Sequence, residues 1–309
     1  MVTIGTWNLE NLFQPGSEAG PDTDDEYEAK LGALAATIED IAPDVLAVQE
    51  VGEPEALEDL VKKLDGRWRT ALAEPDARGI RVGFLARAEL TDLAQFSAFP
   101  EQLAPVRVDD DGETTDSMGR PALRARVETD GLALDLVSCH LKSKLLTFPG
   151  GRFDPRDEGE RARYAVYALN RRAAESATVR DAATGLLDGN EALVVLGDLN
   201  DTQFAATTTL LHGPPGSEIG TGGFDRPDTG DALRLWNLAH LIPEGRRHSR
   251  TYNGRAELID HILVSHALVR RVEEVTTIDV NAGSVTDNPR KRKGKPGSDH
   301  RPVVARIEP

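Results

Sequence analysis

The sequence is poor in cysteine, long apolar runs and aromatic residues. Cys139 is the only cysteine among 309 residues, so neither an internal disulfide nor a cysteine-rich zinc site can form. Because Cys139 lies in an apolar segment, we interpret it as a small core residue rather than a nucleophile. No apolar run approaches the roughly 20 residues needed to cross a bilayer, so we expect no membrane span.

A recognisable signal peptide is also missing. The first residues, "MVTIGTWNLE", have neither a basic start nor a long apolar stretch, and strand-like sequence begins at Val2. We therefore expect a cytoplasmic protein, or a secreted one whose leader has been removed.

Basic residues are fewer than acidic ones, 36 against 52, which gives a formal net charge of −16. This balance argues against a general polyanion-binding surface. The charges are unevenly spread: acids cluster in "DTDDEYE" (22–28) and "DDDGE" (109–113), whereas "RKRKGK" (290–295) is basic. The basic loop is either a solvated turn or a phosphate contact, and its position just ahead of "GSDHRP" favours contact.

The hydrophobic fraction of 39% is that of a globular protein, and we find no internal repeat, low-complexity tract or linker. Length alone allows one large or two modest domains. Alternation of strands and helices predicts an α/β architecture with helices outside the sheets, and a Gly- and Pro-rich loop at 213–231. Strands are predicted at 3–7, 44–50, 68–73, 80–86, 121–128, 132–139, 192–198, 257–265 and 301–307, and helices at 27–41, 54–64 and 158–182.

Several β-type runs share a feature: each ends in polar residues. In "VVLGDLND", for example, an apolar run turns abruptly into Asp198 and Asn200. Because ligands of open α/β sheets bind beyond strand ends, we expect these polar side chains to converge. The segments and their polar residues are "GTWNLEN" with Asn8 and Glu10, "LAVQE" with Glu50, "LDLVSCHLKSK" with His140 and Lys142, "VVLGDLND" with Asp198 and Asn200, "ELIDHILVS" with Asp260, and "GSDHRPV" with Asp299 and His300.

Together these side chains would form a hard, oxygen-rich site without thiolates, which favours Mg²⁺ or Mn²⁺ over zinc. A divalent cation beside histidines and carboxylates is suited to attack of water on a phosphate ester. Each residue taken alone has another explanation. Asn8 could cap a turn, Glu50 could be solvated, and His140 could be a core histidine. Asp260, between apolar neighbours, should be buried and needs a partner, for which His300 is the candidate.

The ordered motifs "TWNLEN", "DVLAVQEV", "CHLKSK", "LGDLND", "LIDHILVS" and "GSDHRPV" resemble the endonuclease/exonuclease/phosphatase superfamily, from Thr6 to Val303. The resemblance implies a single domain over 1–309 with the DNase I-like fold. This fold is a four-layer α/β sandwich of two packed mixed β-sheets flanked by helices. It also implies a metal-dependent phosphoesterase whose site lies where the sheet edges meet.

The resemblance further implies a role for each of the polar residues in these motifs. Glu50 and Asn8 would hold the metal, with Glu10 and Asp299 as secondary ligands. Asp198 would orient or deprotonate water, and His300, held by Asp260, would act as base or stabilise charge. Asn200 would bind a phosphate oxygen, His140 would donate to the transition state, and Arg120 and Lys142 would contact substrate. Which of Asp198 and His300 removes the proton stays open. We interpret His261 as structural.

Three functions are compatible with these features. The motifs resemble bacterial nuclease-like members most, so we expect a monomeric nuclease acting on DNA or RNA. The acidic composition and scarce aromatics favour instead a phosphodiesterase for small or lipid-borne esters. A non-catalytic binding domain on the same fold is the alternative from another class. A separate hypothesis assigns "DTDDEYE" to an additional cation such as Ca²⁺, against a solvated loop before a helix.

Overall fold

The computed structural model describes residues 1–187, 192–212, 218–226, 231–286 and 291–309. The strands, in chain order, are β1 (Val2–Leu12), β2 (Val45–Val51), β3 (Arg69–Leu72), β4 (Arg81–Ala86), β5 (Thr91–Ala98), β6 (Val106–Arg107), β7 (Thr114–Thr115), β8 (Ser117–Thr129), β9 (Leu132–His140), β10 (Leu193–Asp198), β11 (Leu235–Asn237), β12 (Arg250–Tyr252), β13 (Arg255–Glu257), β14 (Asp260–Ser265), β15 (Val272–Thr277) and β16 (Val303–Ile307). The α-helices are α1 (Asp24–Ile41), α2 (Pro54–Val61), α3 (Glu158–Leu187), α4 (Ala206–Thr209) and α5 (His266–Val269).

Two six-stranded mixed sheets form the centre of the fold. The first sheet has the order β15-β16-β1-β2-β4-β3 and the second the order β11-β14-β10-β9-β8-β5. In each sheet the two middle strands run parallel, β1 with β2 and β9 with β10, and their outer neighbours run antiparallel. The carboxyl ends of these four strands therefore lie at one edge of each sheet, where ligands are expected to bind.

Three apolar clusters separate the layers. Side chains of both sheets fill the cluster between them, among them Ile4, Ala47 and Phe84 from the first and Ala125, Leu136 and Val194 from the second. The outer face of the first sheet packs on α1 and α2 through residues such as Trp7, Leu31, Leu34 and Leu57. The outer face of the second packs on α3 through Val137, Cys139, Ala174 and Val179. The result is the predicted four-layer α/β sandwich.

The sequence-based boundaries are confirmed for most central strands, and Cys139 is fully buried as expected of a core residue. Helix α1 starts three residues earlier than predicted because the Thr23 side chain accepts a hydrogen bond from the Glu26 backbone N–H, which caps the helix. The strands that were not predicted are β5, β6, β7, β11, β12 and β15, together with most of β13. The Gly- and Pro-rich loop at 213–231 lies largely outside the described residues. Within the described part of the chain, no helix is long and apolar enough to cross a membrane.

Candidate active site

One row of residues crosses the second sheet at the edge where the parallel strands β9 and β10 end. Asp198, the last residue of β10, is the direct register partner of His140 on β9 and of Asp260 on β14. Gly197 makes this row possible, because a Cβ there would lie 1.9 Å from the Cys139 carbonyl oxygen and its φ is +150°. Two carboxylates and an imidazole are thus fixed side by side by strand pairing alone.

The first sheet contributes from irregular strand ends. The pairing of β1 with β2 shifts register after Asn8 and Gln49, and Glu50 has a left-handed φ of +60°. Such a bulge turns a side chain out of the regular alternation. Glu50 is held there because its Oε2 accepts the backbone N–H of Asn11 at 3.0 Å.

The two sheets meet through Asn8. Its Nδ2 lies 2.9 Å from Asp198 Oδ2 and 3.1 Å from Glu50 Oε1, so one amide connects both carboxylates. His140 Nε2 lies 3.5 Å from the same Asp198 oxygen and 4.0 Å from the same Glu50 oxygen. Four side chains from four strands therefore surround one small volume.

His300 joins this group from the loop before β16. Its Nδ1 lies 2.7 Å from Asp260 Oδ2, the partner expected from the sequence, and its Nε2 is 4.0 Å from Asp198 Oδ2. The Ser298 hydroxyl accepts the His300 backbone N–H and donates to the Asn8 carbonyl oxygen, which ties the loop to β1. The contact with Asp260 leaves Nε2 as the nitrogen that faces the cluster.

Burial and charge give the titratable groups different protonation states. Burial, reinforced by Asp260, raises the pKa of Asp198 to about 7. Burial alone would lower the pKa of His300, but the carboxylates of Asp260 and Asp299 prevail and raise it to about 10. Burial and the positive charge of Arg120 lower the pKa of His140 well below its ordinary value, so this ring is neutral at pH 7.

The donor set fits a hard divalent cation. Oxygen donors dominate, and the Glu50 carboxylate is only partly buried, with 21% of its side chain exposed. Asp198, Asp260 and His300 have ligand atoms within 4.8 Å of one another. However, Asp260 is inaccessible and already bonded to His300, so Glu50 with Asn8 is the better anchor. Asn8 would have to turn its amide over, because its Oδ1 now accepts the Glu10 backbone N–H.

A family model described as the Endonuclease/Exonuclease/phosphatase family matches residues 5–300. The chain belongs to this family. Family members are phosphoric ester hydrolases that typically use divalent metals, so the chain is a phosphoesterase of the endonuclease/exonuclease/phosphatase type. No curated protein matches the sequence significantly.

Solved structures show the same fold at low sequence identity. A mannosyl-6-phosphatase from Bacteroides thetaiotaomicron is 14% identical, with 100% of each chain covered and a TM-score of 0.59. A 3'-5' exonuclease, NExo, from Neisseria meningitidis is 17% identical over 99% of this chain and 100% of the other, with a TM-score of 0.57. Truncated TDP2 from Caenorhabditis elegans is 15% identical over 98% and 96%, also with a TM-score of 0.57.

Glu10 and Asp299, the expected secondary metal ligands, are engaged with arginines. The guanidinium of Arg292 donates to both oxygens of Glu10 at 2.9 and 2.7 Å, and the Asp299 backbone N–H donates to Glu10 Oε2 at 2.8 Å. Asp299 Oδ2 in turn lies 3.3 Å from Arg250 Nε. The structure thus places both carboxylates beside the cluster, with their charge already compensated.

Arg120 and Asn200 also hold backbone groups. Arg120 donates to the carbonyl oxygens of His140 and Leu141, each at 3.0 Å, and to Asp76 Oδ2 at 3.2 Å. Asn200 donates from Nδ2 to the Leu141 carbonyl oxygen at 3.0 Å. Both side chains are buried, so in this structure they support the end of β9.

Lys142 lies in the loop after β9. Its Nζ donates to the carbonyl oxygens of Ser143 and Leu145. Burial and the charge of Arg171 lower the pKa of Lys142 to about 8. An amine bonded only to neutral carbonyls keeps its positive charge available for an anion.

A further cation near the candidate site, which the sequence analysis did not single out, is Arg78 at the tip of the hairpin between β3 and β4. Asp76 shapes this tip by accepting the backbone N–H groups of Arg78 and Ile80 at 2.8 and 3.0 Å. The same carboxylate contacts buried Arg120 at 3.2 Å and exposed Arg78 at 3.4 Å. The Arg78 side chain is 66% exposed, and its charge is among those that lower the pKa of His140. The surrounding segment, "EPDARGI", has the composition of an ordinary turn and carries no functional signal.

Two of the three charge clusters noted in the sequence, the acidic segment 22–28 and the basic loop 290–295, contact each other. Arg290 lies outside the described residues; in the described part of the basic loop, Arg292 binds Glu10 and Lys293 binds Asp22 at 2.7 Å. Asp24, Asp25 and Glu26 form the first turn of α1, where negative charge is favourable. The ion pair and the helix start explain why acidic residues occur in this segment without a bound cation. Ca²⁺ binding there stays an untested prediction.

Proposed function

We propose that this phosphoesterase is a divalent-cation-dependent phosphodiesterase that hydrolyses nucleic acid by in-line attack of water. The strongest support is the convergence on Asp198. Asn8, His140 and His300 reach the same carboxylate oxygen from three other segments of the chain, at 2.9, 3.5 and 4.0 Å. A buried carboxylate between an amide and two imidazoles is suited to activating water.

Asp198 is the proposed base. Its raised pKa, about 7, lets the carboxylate take up a proton near neutral pH. His300, with a pKa raised to about 10, carries a proton already and therefore stabilises negative charge instead. Asp260 fixes the His300 ring and compensates its charge.

Glu50, with Asn8 after an amide turn, is the proposed holder of Mg²⁺ or Mn²⁺. When bound, the cation supplies Lewis-acid stabilisation of the phosphate oxygens. The Glu10–Arg292 and Asp299–Arg250 ion pairs support a different role for the two expected secondary ligands, namely holding the loop before His300.

Neutral His140 is the proposed hydrogen-bond donor to the phosphate, because its Nε2 faces the volume shared by Glu50 and Asp198. Substrate contact is assigned to Lys142 and, in place of buried Arg120, to exposed Arg78. Asn200 retains one Nδ2 hydrogen for a phosphate oxygen.

Action on a small phosphate ester is the second candidate. Cations near the site are largely paired with carboxylates, as in Arg292–Glu10, Lys293–Asp22 and Lys144–Asp201. Such pairing weakens the attraction for a long polyanion. The structural neighbours include both an exonuclease and a sugar phosphatase, and therefore do not favour one substrate class.

A substrate panel tests the proposal. Plasmid, single-stranded DNA, RNA, bis-(p-nitrophenyl) phosphate and a sugar phosphate are assayed with Mg²⁺ or Mn²⁺, with and without EDTA, and Asp198→Asn serves as the inactive reference. Cleavage of nucleic acid that falls steeply with ionic strength supports the nuclease. Hydrolysis of only the small esters supports the second candidate. A folded protein that hydrolyses none of them points to the non-catalytic binding domain.

A further inference from the structure

Two buried side chains on α3 hold the loop that follows β9. The Glu175 carboxylate accepts the Lys142 backbone N–H, and Arg172 Nη1 donates to the Lys142 carbonyl oxygen at 3.1 Å. Arg172 and Glu175 are spaced i, i+3 and therefore lie on the same face of the helix. Both are almost inaccessible, with 5% and 2% exposure. The helix therefore holds the backbone on both sides of a proposed substrate-binding residue.

Arg172 also holds the loop that follows β10. Its Nε and Nη2 each lie 3.2 Å from Asp201 Oδ2, which also accepts the Thr207 hydroxyl at 2.8 Å. Asp201 comes directly after Asn200, and its carbonyl oxygen is bonded to His261 Nε2 at 2.9 Å. This bond agrees with the structural interpretation of His261. One guanidinium thus connects the two loops that carry the proposed site residues.

Glu175 has an additional contact on the other side of β9. Its Oε1 accepts the Gly119 backbone N–H at 3.1 Å, just before Arg120, which in turn supports the His140 and Leu141 carbonyls. Three segments of the second sheet are therefore fixed by two adjacent turns of one helix. Pairing within the sheet sets the register of His140 and Asp198 and continues for one residue, since the Leu141 N–H donates to the Asp198 carbonyl oxygen at 2.9 Å. Lys142 and Asp201, further along the two loops, are held by the side chains of α3.

We propose that Arg172 and Glu175 are positioning residues of the active site, which hold the loops after β9 and β10 in the relation that hydrolysis requires. This inference rests on the proposed function for its kinetic consequence. Reacting groups tolerate little displacement, and about 1 Å of misplacement can cost about 100-fold in rate. Loss of either side chain is therefore expected to lower kcat, and to raise KM as well because the loop after β9 carries Lys142.

The test compares Arg172→Met and Glu175→Gln with a matched control, Arg180→Met. Arg180 lies two turns further along α3 and also connects the helix to other segments, because it donates to the backbone carbonyls of Leu211 and Leu233. We expect kcat on the best phosphodiester substrate to fall about 10- to 100-fold in the two test variants and to stay within about twofold in the control. Arg172→Lys, which restores one charged contact, is expected to recover part of the loss.

Hydrogen exchange gives a readout that needs no substrate. In Arg172→Met, amides of the two loops should exchange faster than in the wild type, whereas in Arg180→Met they should not. Wild-type kcat and unchanged loop exchange in Arg172→Met would overturn the positioning role. If the wild type hydrolyses no substrate, the proposed function fails, while the exchange comparison still decides whether Arg172 orders both loops.

Discussion

The imidazole of His300 lies between two carboxylates, with Nδ1 2.7 Å from Asp260 Oδ2 and Nε2 4.0 Å from Asp198 Oδ2. Asp260 is inaccessible to solvent and Asp198 is 1% exposed. The negative charges of Asp260 and Asp299 keep the ring protonated, and the bond from Nδ1 to Asp260 orients it. In the proposed mechanism, Asp260 is therefore expected to matter for the chemistry although it is inaccessible to solvent.

Asp260→Asn tests this dependence. The amide is nearly isosteric but carries no charge, so His300 loses the partner that fixes its protonation state and tautomer. We expect kcat to fall by at least about 100-fold, the usual range for losing one group that stabilises negative charge in an active site. The measurement is steady-state hydrolysis of bis-(p-nitrophenyl) phosphate or an oligonucleotide.

Asp135→Asn is the matched control for this variant. Asp135 is equally buried, lies in the same sheet on β9, and binds Arg124 and Arg126 instead of a histidine. We expect it to lower thermal stability without a comparable fall in kcat. If both variants lose activity in proportion to stability, the effect of Asp260 is structural only.

The raised pKa of His300 predicts how the stability of the metal-free protein depends on pH. Protonation of this ring favours folding because its pKa, about 10 in the folded chain, exceeds the ordinary value of 6.5. The contribution is complete below pH 6.5 and is lost as the pH rises toward 10. Thermal unfolding of the EDTA-treated protein between pH 6 and 10 should show a falling Tm, and His300→Gln should flatten this dependence. An equally steep fall in His300→Gln would contradict the assignment.

Strand periodicity was sufficient to predict which polar residues cluster at the candidate site. Asp198, His140 and Asp260 follow or begin apolar runs, and residues at the ends of adjacent strands necessarily become neighbours once the sheet forms. The orientation of the Glu50 side chain could not be predicted in this way, because it depends on a β-bulge that the local sequence pattern does not indicate. The fold class was also predictable from the periodicity, because a chain in which strands alternate with helices can fold into only a few architectures.

Long-range ion pairs were beyond sequence reasoning. Arg292 and Glu10 are 282 positions apart, and nothing in either motif indicates that they meet. Arg120 was expected to contact substrate, but whether an arginine beside a proline faces solvent or carbonyl oxygens depends on the loops packed around it. Arg172 and Glu175 lie in a helix whose many arginines are typical of a solvated face, and only tertiary packing shows which are buried.

Metal binding should depend on Glu50 far more than on Glu10. Glu50 is partly exposed beside Asp198, whereas both oxygens of Glu10 accept hydrogen bonds from Arg292. We expect Glu50→Gln to weaken Mn²⁺ binding at least about 10-fold and Glu10→Gln to change it by less than about threefold. Titration calorimetry measures the affinity, and the rise in Tm at saturating Mn²⁺ gives an independent check. Equal losses in the two variants would restore Glu10 as a ligand.

Arg78 should bind the substrate phosphate without taking part in turnover. Its side chain is exposed at the hairpin tip, and a long contact of 3.4 Å to Asp76 leaves most of its donors available. In Arg78→Ala we expect KM for an oligonucleotide to rise about 10-fold, kcat to change little, and the salt dependence of kcat/KM to become shallower because one phosphate contact is lost.

Arg306→Ala provides the comparison for Arg78→Ala, because Arg306 is also exposed and paired with one carboxylate, Glu274, at 3.1 Å, but lies on β16 of the first sheet. It should leave KM and the salt dependence unchanged. Since neither arginine is buried, neither substitution should affect folding, and circular dichroism verifies this. If Arg78→Ala behaves like Arg306→Ala, the phosphate is bound elsewhere. Lys142→Ala then becomes the deciding variant, since the Lys142 amine donates to the neutral carbonyls of Ser143 and Leu145.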